Sequence, residues 1–416
     1  MRDPLIFART LTAQTPGALR ERLSAYLDEP SCSRAADRAQ ALPLIVETPP
    51  PRAGELVPLF EAQGAFAQLT RDHFVVVATP AALRAVAGAA DGETRALAEA
   101  LLRAAEASLA RTTSIRLRDR TLDVGRCAAV MGILNVTPDS FYDRGRYRAV
   151  DAARARAAAM VEQGAALIDI GGHSYAAWNE PVAAEEEERR VVPVVRALLA
   201  DGLGVPLSID TFKANVARAA LEAGADLIND CSGLSDDALA GVVARYDAAL
   251  VVMHLKGRLN VRDETYPYDD AMAEILAFLR ERVERAVAGG VARESLIVDP
   301  GLEFGKEPQT DLEILERFGD LRALGLPILF AASRKSFIGR IFNQPASELL
   351  VPSLATAAVG IAAGASLIRV HDVAETVQLA RMLGAVQPEN RGAIWISPPL
   401  PKDRLSPVAN VAKGEA

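Results

Sequence analysis

Eight short apolar runs, each followed by a helical stretch, constrain this chain more than any other feature. They are AVMGILNV (129–136), ALIDIGG (166–172), PLSID (206–210), DLIND (226–230), ALVVMH (249–254), SLIVDPG (295–301), PILFAAS (327–333) and SLIRVHD (366–372). The runs are continuous rather than alternating, the pattern of strands covered on both faces and hence of a parallel sheet. Segments between them, such as AVDAARARAAAMVEQG, TFKANVARAALEAGA and AMAEILAFLRERVERAVAGG, space their apolar residues as helices do. Several close on Gly, where a left-handed cap carries little strain. Eight strand–helix units over roughly 265 residues match the size of a (β/α)8 barrel. An open doubly wound sheet is the rival, and the lack of a GxGxxG turn after the first run weakens its dinucleotide-binding form. The expected fold class is therefore α/β: a (β/α)8 TIM barrel over residues 124–394, preceded by a small α+β domain over 1–123.

The first 123 residues read differently. PLIVET (43–48) ends in a proline break, ELVPLFEAQG reads as helix, AFAQLTRD alternates, and HFVVVATP leads into a helical ALRAVAGA. A further helix is expected around 92–110. No catalytic constellation stands out there, and a packing or oligomerisation role is expected. The last residues, 395–416, read as a flexible tail.

Charge and cysteine usage narrow the function classes. The net charge of -8, from 46 basic and 54 acidic residues, argues against nucleic acid or an anionic membrane as partner. The scattered cysteines Cys32, Cys127 and Cys231 form no CxxC pair, so neither a zinc site nor a disulfide framework is expected, and a cytoplasmic location fits. No apolar stretch is long enough for a membrane span, and none near the N-terminus reads as a signal peptide.

Polar residues collect where the runs end, the place where barrels of this kind build their chemistry. These are Asn135, Asp169 and His173, Asp210, Asn229 and Asp230, His254, Asp299, Ser333 to Ser336, and Arg369, His371 and Asp372. Each alone has an ordinary explanation: an Asp there is often a helix cap, as expected for Asp230, and a lone His254 is often a core histidine. The run EEEERR (185–190) reads as a solvated helix face and His73 as structural. The joint occurrence is what carries weight. Asp210, Asn229 and Asp299 match a flat heterocycle with an amino-amidine edge, each charge-assisted bond contributing roughly 1.5–3 kcal/mol. Lys335 could serve a ring carbonyl. Arg369 and His371 suit an anion, and the amide oxygen of Asn135 suits a Mg2+ ion already carrying phosphate oxygens.

In order along the chain, MGILNVTPDSF, IDIGG, SIDTF, LIND, VVMH, DPGLEFGK, SRKSFIG and RVHDV closely resemble the motifs of the dihydropteroate synthase family of pterin-binding barrels, over residues 129 to about 385. The resemblance implies condensation of 6-hydroxymethyl-7,8-dihydropterin diphosphate with 4-aminobenzoate, a Mg2+-dependent step of folate synthesis, in a protein that pairs as a homodimer. It implies that Asp210, Asn229, Asp299 and Lys335 bind the pterin, with Lys335, Asp210 and Asp299 also serving the reaction. Asn135 would be the Mg2+ ligand, Arg369 and His371 would hold the diphosphate, and Ser336 would stand near the aminobenzoate carboxylate. Met253 and Phe304 would pack on ring faces, and Phe141, Asp143 and Thr137-Pro138 would form a lid. A paralogue using a different aryl amine, a methyltetrahydrofolate-binding methyltransferase and a pterin-binding module without synthase activity are the alternatives, the methyltransferase disfavoured by the SRKS and RVHD residues.

Two stretches depart from the family pattern. Where the family reads GGESTRPG, this chain reads Gly171-Gly172-His173-Ser174-Tyr175-Ala176-Ala177-Trp178. Where the family has Gly in DPGIGFG, this chain has Glu303. Both bear on the site expected for the aminobenzoate.

Overall fold

The computed structural model describes residues 8–10, 23–36, 42–47, 52–71, 73–110, 112–136, 146–173, 181–259 and 266–386. The lid candidates Thr137, Pro138, Phe141 and Asp143, the loop residues Ser174 to Trp178 and the tail 395–416 lie outside these described residues.

The N-terminal portion is built on four antiparallel strands, β1 (Ala8–Thr10), β2 (Leu42–Glu47), β3 (Phe66–Leu69) and β4 (His73–Ala78), in the order β1-β2-β4-β3. Alternation sends Leu44, Val46, Phe74 and Val76 to one face, where Leu83, Val86, Leu97 and Leu101 cover them from the helices Pro80–Ala89 and Gly92–Leu109. Ile45, Val75 and Val77 point the other way, onto Leu23, Leu27 and Ala35. This sheet is thus covered on both sides, each fully buried Leu, Ile or Val contributing about 1.5–3 kcal/mol.

A hairpin, β5 (Ser114–Arg116) with β6 (Thr121–Asp123), leads into the barrel. The eight barrel strands are β7 (Ala129–Asn135), β8 (Leu167–Gly171), β9 (Leu207–Asp210), β10 (Leu227–Asp230), β11 (Ala249–Met253), β12 (Leu296–Asp299), β13 (Leu329–Phe330) and β14 (Leu367–Val370). They pair in parallel in the order β12-β11-β10-β9-β8-β7-β14-β13. A parallel bridge from Val298 to Ile328, with the Val298 N–H donating to the Pro327 carbonyl at 3.0 Å, closes the ring. The fold is the α/β barrel that the eight runs imply.

The continuous apolar character of the runs follows from the two surfaces they serve. Val130, Ile168, Ile209, Ile228, Val252, Val298 and Ile368 face the surrounding helices. Met131, Leu167, Leu227, Val251, Ile297, Leu329 and Leu367 face inward in the first half or at the middle of seven of the strands, where Ile115, Leu117 and Val124 from the hairpin segment pack against them. The hairpin therefore seals the N-terminal end of the barrel and leaves the C-terminal end as its mouth. Arg118 holds it in place by donating to the Leu221 carbonyl at 2.9 Å, and Arg116 pairs with Asp247. Farther along, the Tyr26 hydroxyl donates at 2.9 Å to Asp270, whose other oxygen caps the helix Ala271–Ala288 by accepting from the Ala273 N–H.

Candidate active site

The strand period of two decides which side chains share the mouth. Residues two positions beyond the inward Leu167, Leu227, Ile297 and Leu367 also point inward, and these are Asp169, Asn229, Asp299 and Arg369. Register then sets them at similar heights. Asn229 lies opposite Asp210 across β10 and β9, and Met253 lies opposite Asp299 across β11 and β12.

Arg369 is the centre of the resulting network. Its Nε donates to Asp169 at 2.6 Å and its Nη2 donates to Asp210 at 2.6 Å. Asp169 is fully buried and also accepts from the Ser208 hydroxyl at 2.5 Å and from Asn229 Nδ2 at 3.1 Å. With its amide nitrogen so engaged, Asn229 turns Oδ1 the other way, as an acceptor. Burial pushes the Asp210 carboxyl up to about 7, against the pull of Arg369. Burial disfavours the guanidinium's charge, and Asp169 and Asp210 more than offset that, so Arg369 stays cationic. The sequence grouped Arg369 with an anion at the rim; here its guanidinium is turned to the two deeper carboxylates.

Asp299 is buried, and burial raises its pKa while the Lys335 ammonium opposes the rise. Among the described residues its carboxylate accepts one hydrogen bond, from the Gly301 N–H at 2.7 Å. Lys335 Nζ donates to the Leu302 carbonyl at 2.6 Å and stands 4.9 Å from the centroid of Phe304. Phe304 packs with Met253, Cys231 and Phe212 in one small apolar cluster. Carboxylate, ammonium and apolar surface thus meet at one corner of the mouth.

The glycines of DPGLEFG are required by close approach. Gly301 has φ +67, and a methyl group there would lie 2.0 Å from the His254 carbonyl oxygen. At Gly305, with φ +64, it would lie 2.1 Å from the Lys256 carbonyl oxygen. Lys306 ties the same turn together from inside, donating to the carbonyls of Gly301 at 2.7 Å and Phe304 at 3.0 Å. Burial lowers its pKa to about 7.

His371 sits at the rim, its Nδ1 3.0 Å from the Ser333 hydroxyl. Burial, and then Arg369, lower its pKa to about 4, so the imidazole is neutral at pH 7. Asn135 is exposed at the end of β7. A methyl group on Gly171 would lie 3.1 Å from its Oδ1 and 3.8 Å from an Asp210 carboxylate oxygen, so the amide and the acid flank the same glycine. Ser336 is exposed, and both its N–H, at 2.8 Å, and its hydroxyl donate to Glu303 Oε1.

Other strand-end residues serve the scaffold. Asp230 accepts from the N–H groups of Ser232 and Leu234, at 2.8 and 2.5 Å, and shapes a turn. Arg334 pairs in a fork with Asp372, both bonds at 2.8 Å. His254 is buried edge-on to Phe278 at 4.9 Å, and its pKa is lowered by burial and Lys306. One expectation fails: Glu187, within the EEEERR run, is fully buried and pairs with Lys213 at 2.5 Å. Its helix, Ala184–Ala200, turns that one position inward against Gly172. Sequence reasoning left Asp169, Ser208 and Lys306 out of the site. Asp169 stood among the strand-end residues, and its two-residue spacing from Leu167 is the signal that places it inside.

The family model described as pterin binding enzyme matches residues 131–371. The chain belongs to the pterin-binding enzyme family. The dihydropteroate synthase of Bacillus subtilis is 38% identical over 291 residues, which span 70% of this chain and 99% of that protein. The solved structure of Xanthomonas albilineans dihydropteroate synthase with 4-aminobenzoic acid is 38% identical, with a TM-score of 0.62, and the match covers 67% of this chain and 99% of that one. That of Clostridium difficile dihydropteroate synthase in the presence of pteroic acid is 41% identical, with a TM-score of 0.60, covering 63% and 97%. Within this pterin-binding family the chain is a dihydropteroate synthase, a transferase of folate synthesis. Its N-terminal α+β portion lies before the matched segment.

Proposed function

We propose that the mouth joins the amine of 4-aminobenzoate to the exocyclic methylene of 6-hydroxymethyl-7,8-dihydropterin diphosphate, with residues 124–394 as the catalytic unit. The observation that carries this reading is the Asp299–Lys335–Asn229 arrangement. A buried carboxylate that, among the described residues, accepts one hydrogen bond, an acceptor amide oxygen and an ammonium stand beside the Met253–Phe304 surface. A pterin supplies the missing partners: its amino and ring N–H groups donate to Asp299 and Asn229, and its ring carbonyl accepts from Lys335. Met253 and Phe304 cover the ring faces.

Charge determines the remaining roles. Departure of diphosphate leaves positive charge on the pterin methylene, and Asp210 and Asp299 stabilise it from the ring edge. Arg369 and the neutral His371 take up the negative charge of the leaving group, Arg369 by turning from one of its carboxylates and His371 by donating an N–H. An aromatic amine is already neutral and nucleophilic at pH 7, so no strong base is required. Ser336 faces the amine's carboxylate.

Asn135 fits a divalent cation held mainly by the substrate. Its neutral amide oxygen is a hard donor of the kind Mg2+ accepts, and among the described residues no group of three or more His, Cys, Asp or Glu could hold a metal. Bound there, Mg2+ would spread the charge of the diphosphate. Two chains pairing, a reading supported by the exposed Val351, Val359 and Met382 on adjacent helices, and a cytoplasmic location, supported by three cysteines without a disulfide, complete the proposal.

The test is formation of 7,8-dihydropteroate from the two substrates with and without a chelator. Product is expected with Mg2+, and the rate should fall at least about tenfold on adding EDTA. No product at any Mg2+ concentration would remove the condensation; an undiminished rate in EDTA would remove the cation.

A further inference from the structure

Glu303 is half-buried between the β12 loop and the residues after β13. Its backbone has φ +73, a conformation that Gly adopts without strain and that a residue with a Cβ adopts rarely. It is held there from two sides. Its N–H donates to Asp311 at 2.8 Å, and its Oε1 accepts from the Ser336 N–H at 2.8 Å and from the Ser336 hydroxyl. Both donors of Ser336 are therefore already engaged by a carboxylate of the chain itself. The chain neighbours of Glu303 and Ser336, Phe304 and Lys335, also meet, with Lys335 Nζ 4.9 Å from the Phe304 ring centroid.

We propose that Glu303 is a specificity-determining residue of the amine site. Its carboxylate competes with the carboxylate of an incoming arylamine for Ser336, and so raises KM for an anionic arylamine such as 4-aminobenzoate while leaving a neutral one of the same shape unaffected. The inference rests on the reading that Ser336 faces the amine's carboxylate. Two carboxylates cannot share the same two donors, and at a half-exposed position their repulsion is only partly screened. A neutral substituent, such as a carboxamide, meets no such repulsion and can donate its own N–H to Glu303. The residue thus acts on the choice of amine and leaves the pterin pocket alone.

The experiment measures KM for 4-aminobenzoate and for 4-aminobenzamide at saturating pterin diphosphate, in the wild type, Glu303→Gly and Glu303→Gln. KM for 4-aminobenzoate is expected to fall about tenfold in Glu303→Gly, equivalent to about 1.4 kcal/mol, and by a smaller factor in Glu303→Gln. KM values for 4-aminobenzamide and for the pterin diphosphate should move by less than about twofold. Thermal melts establish that both variants are folded. Parallel shifts for the two amines, or no fall for 4-aminobenzoate, would overturn the role of Glu303 while leaving the synthase reading intact. A wild type that binds the pterin diphosphate in calorimetry and condenses neither amine would sink both.

Discussion

Arg369→Met is expected to lower the unfolding free energy by about 3–5 kcal/mol, because it strands two buried carboxylates that share one guanidinium. Asp169 would keep Ser208 and Asn229 as partners, whereas Asp210 would lose its ion pair with Arg369. The Asp210 carboxyl, pushed up to about 7 with Arg369 in place, would rise further. The sign of the pH dependence follows. A carboxyl whose folded pKa exceeds its unfolded value destabilises the fold increasingly as pH rises toward the folded pKa. The deficit of Arg369→Met should therefore be largest near pH 8 and shrink toward pH 5. Adding Asp210→Asn should recover a good part of it at pH 8. Urea unfolding of the three proteins at both pH values makes the measurement. A loss below about 1 kcal/mol, or one independent of pH, would show that the guanidinium does not compensate these acids.

Asp299→Asn should separate activity from stability. In the proposed complex the Asp299 carboxylate accepts charge-assisted hydrogen bonds from the pterin edge, and an amide can accept only part of that pattern. The condensation rate, read as kcat/KM for the pterin diphosphate, is expected to fall about a thousandfold. The fold should not suffer. Asn keeps an oxygen for the Gly301 N–H, and it removes a charge whose burial raises the pKa and so opposes folding at pH 7. The melting temperature at pH 7 should equal or exceed that of the wild type, as happens when a site is built at the expense of stability. Near-normal turnover would take Asp299 out of the pterin site; a lowered melting temperature would make it a structural acid instead.

Much of this arrangement is legible in the chain itself, because it depends on periods. Continuous apolar runs announce strands buried on both faces, and the repeat of eight limits how they can close. Counting by two from Leu167, Leu227, Ile297 and Leu367 is enough to send Asp169, Asn229, Asp299 and Arg369 into the same mouth. Motifs of local shape, such as the glycines around Glu303, are equally visible, since they answer to contacts a few residues away or to a backbone angle.

What only the tertiary structure decided is who meets whom. Arg369 finds Asp169 and Asp210 across separations of 200 and 159 residues, distances set by barrel closure and strand register and by no local preference. Glu187 shows the same limit: in the sequence it is one acid among four, and only the docking of its helix buries it against Lys213. So does Glu303, whose engagement of Ser336 depends on two loops brought side by side. Periodicity states which face a side chain takes, whereas hydrogen-bond partners and the pKa values they impose require distances in space, and those exist only once the ring is closed.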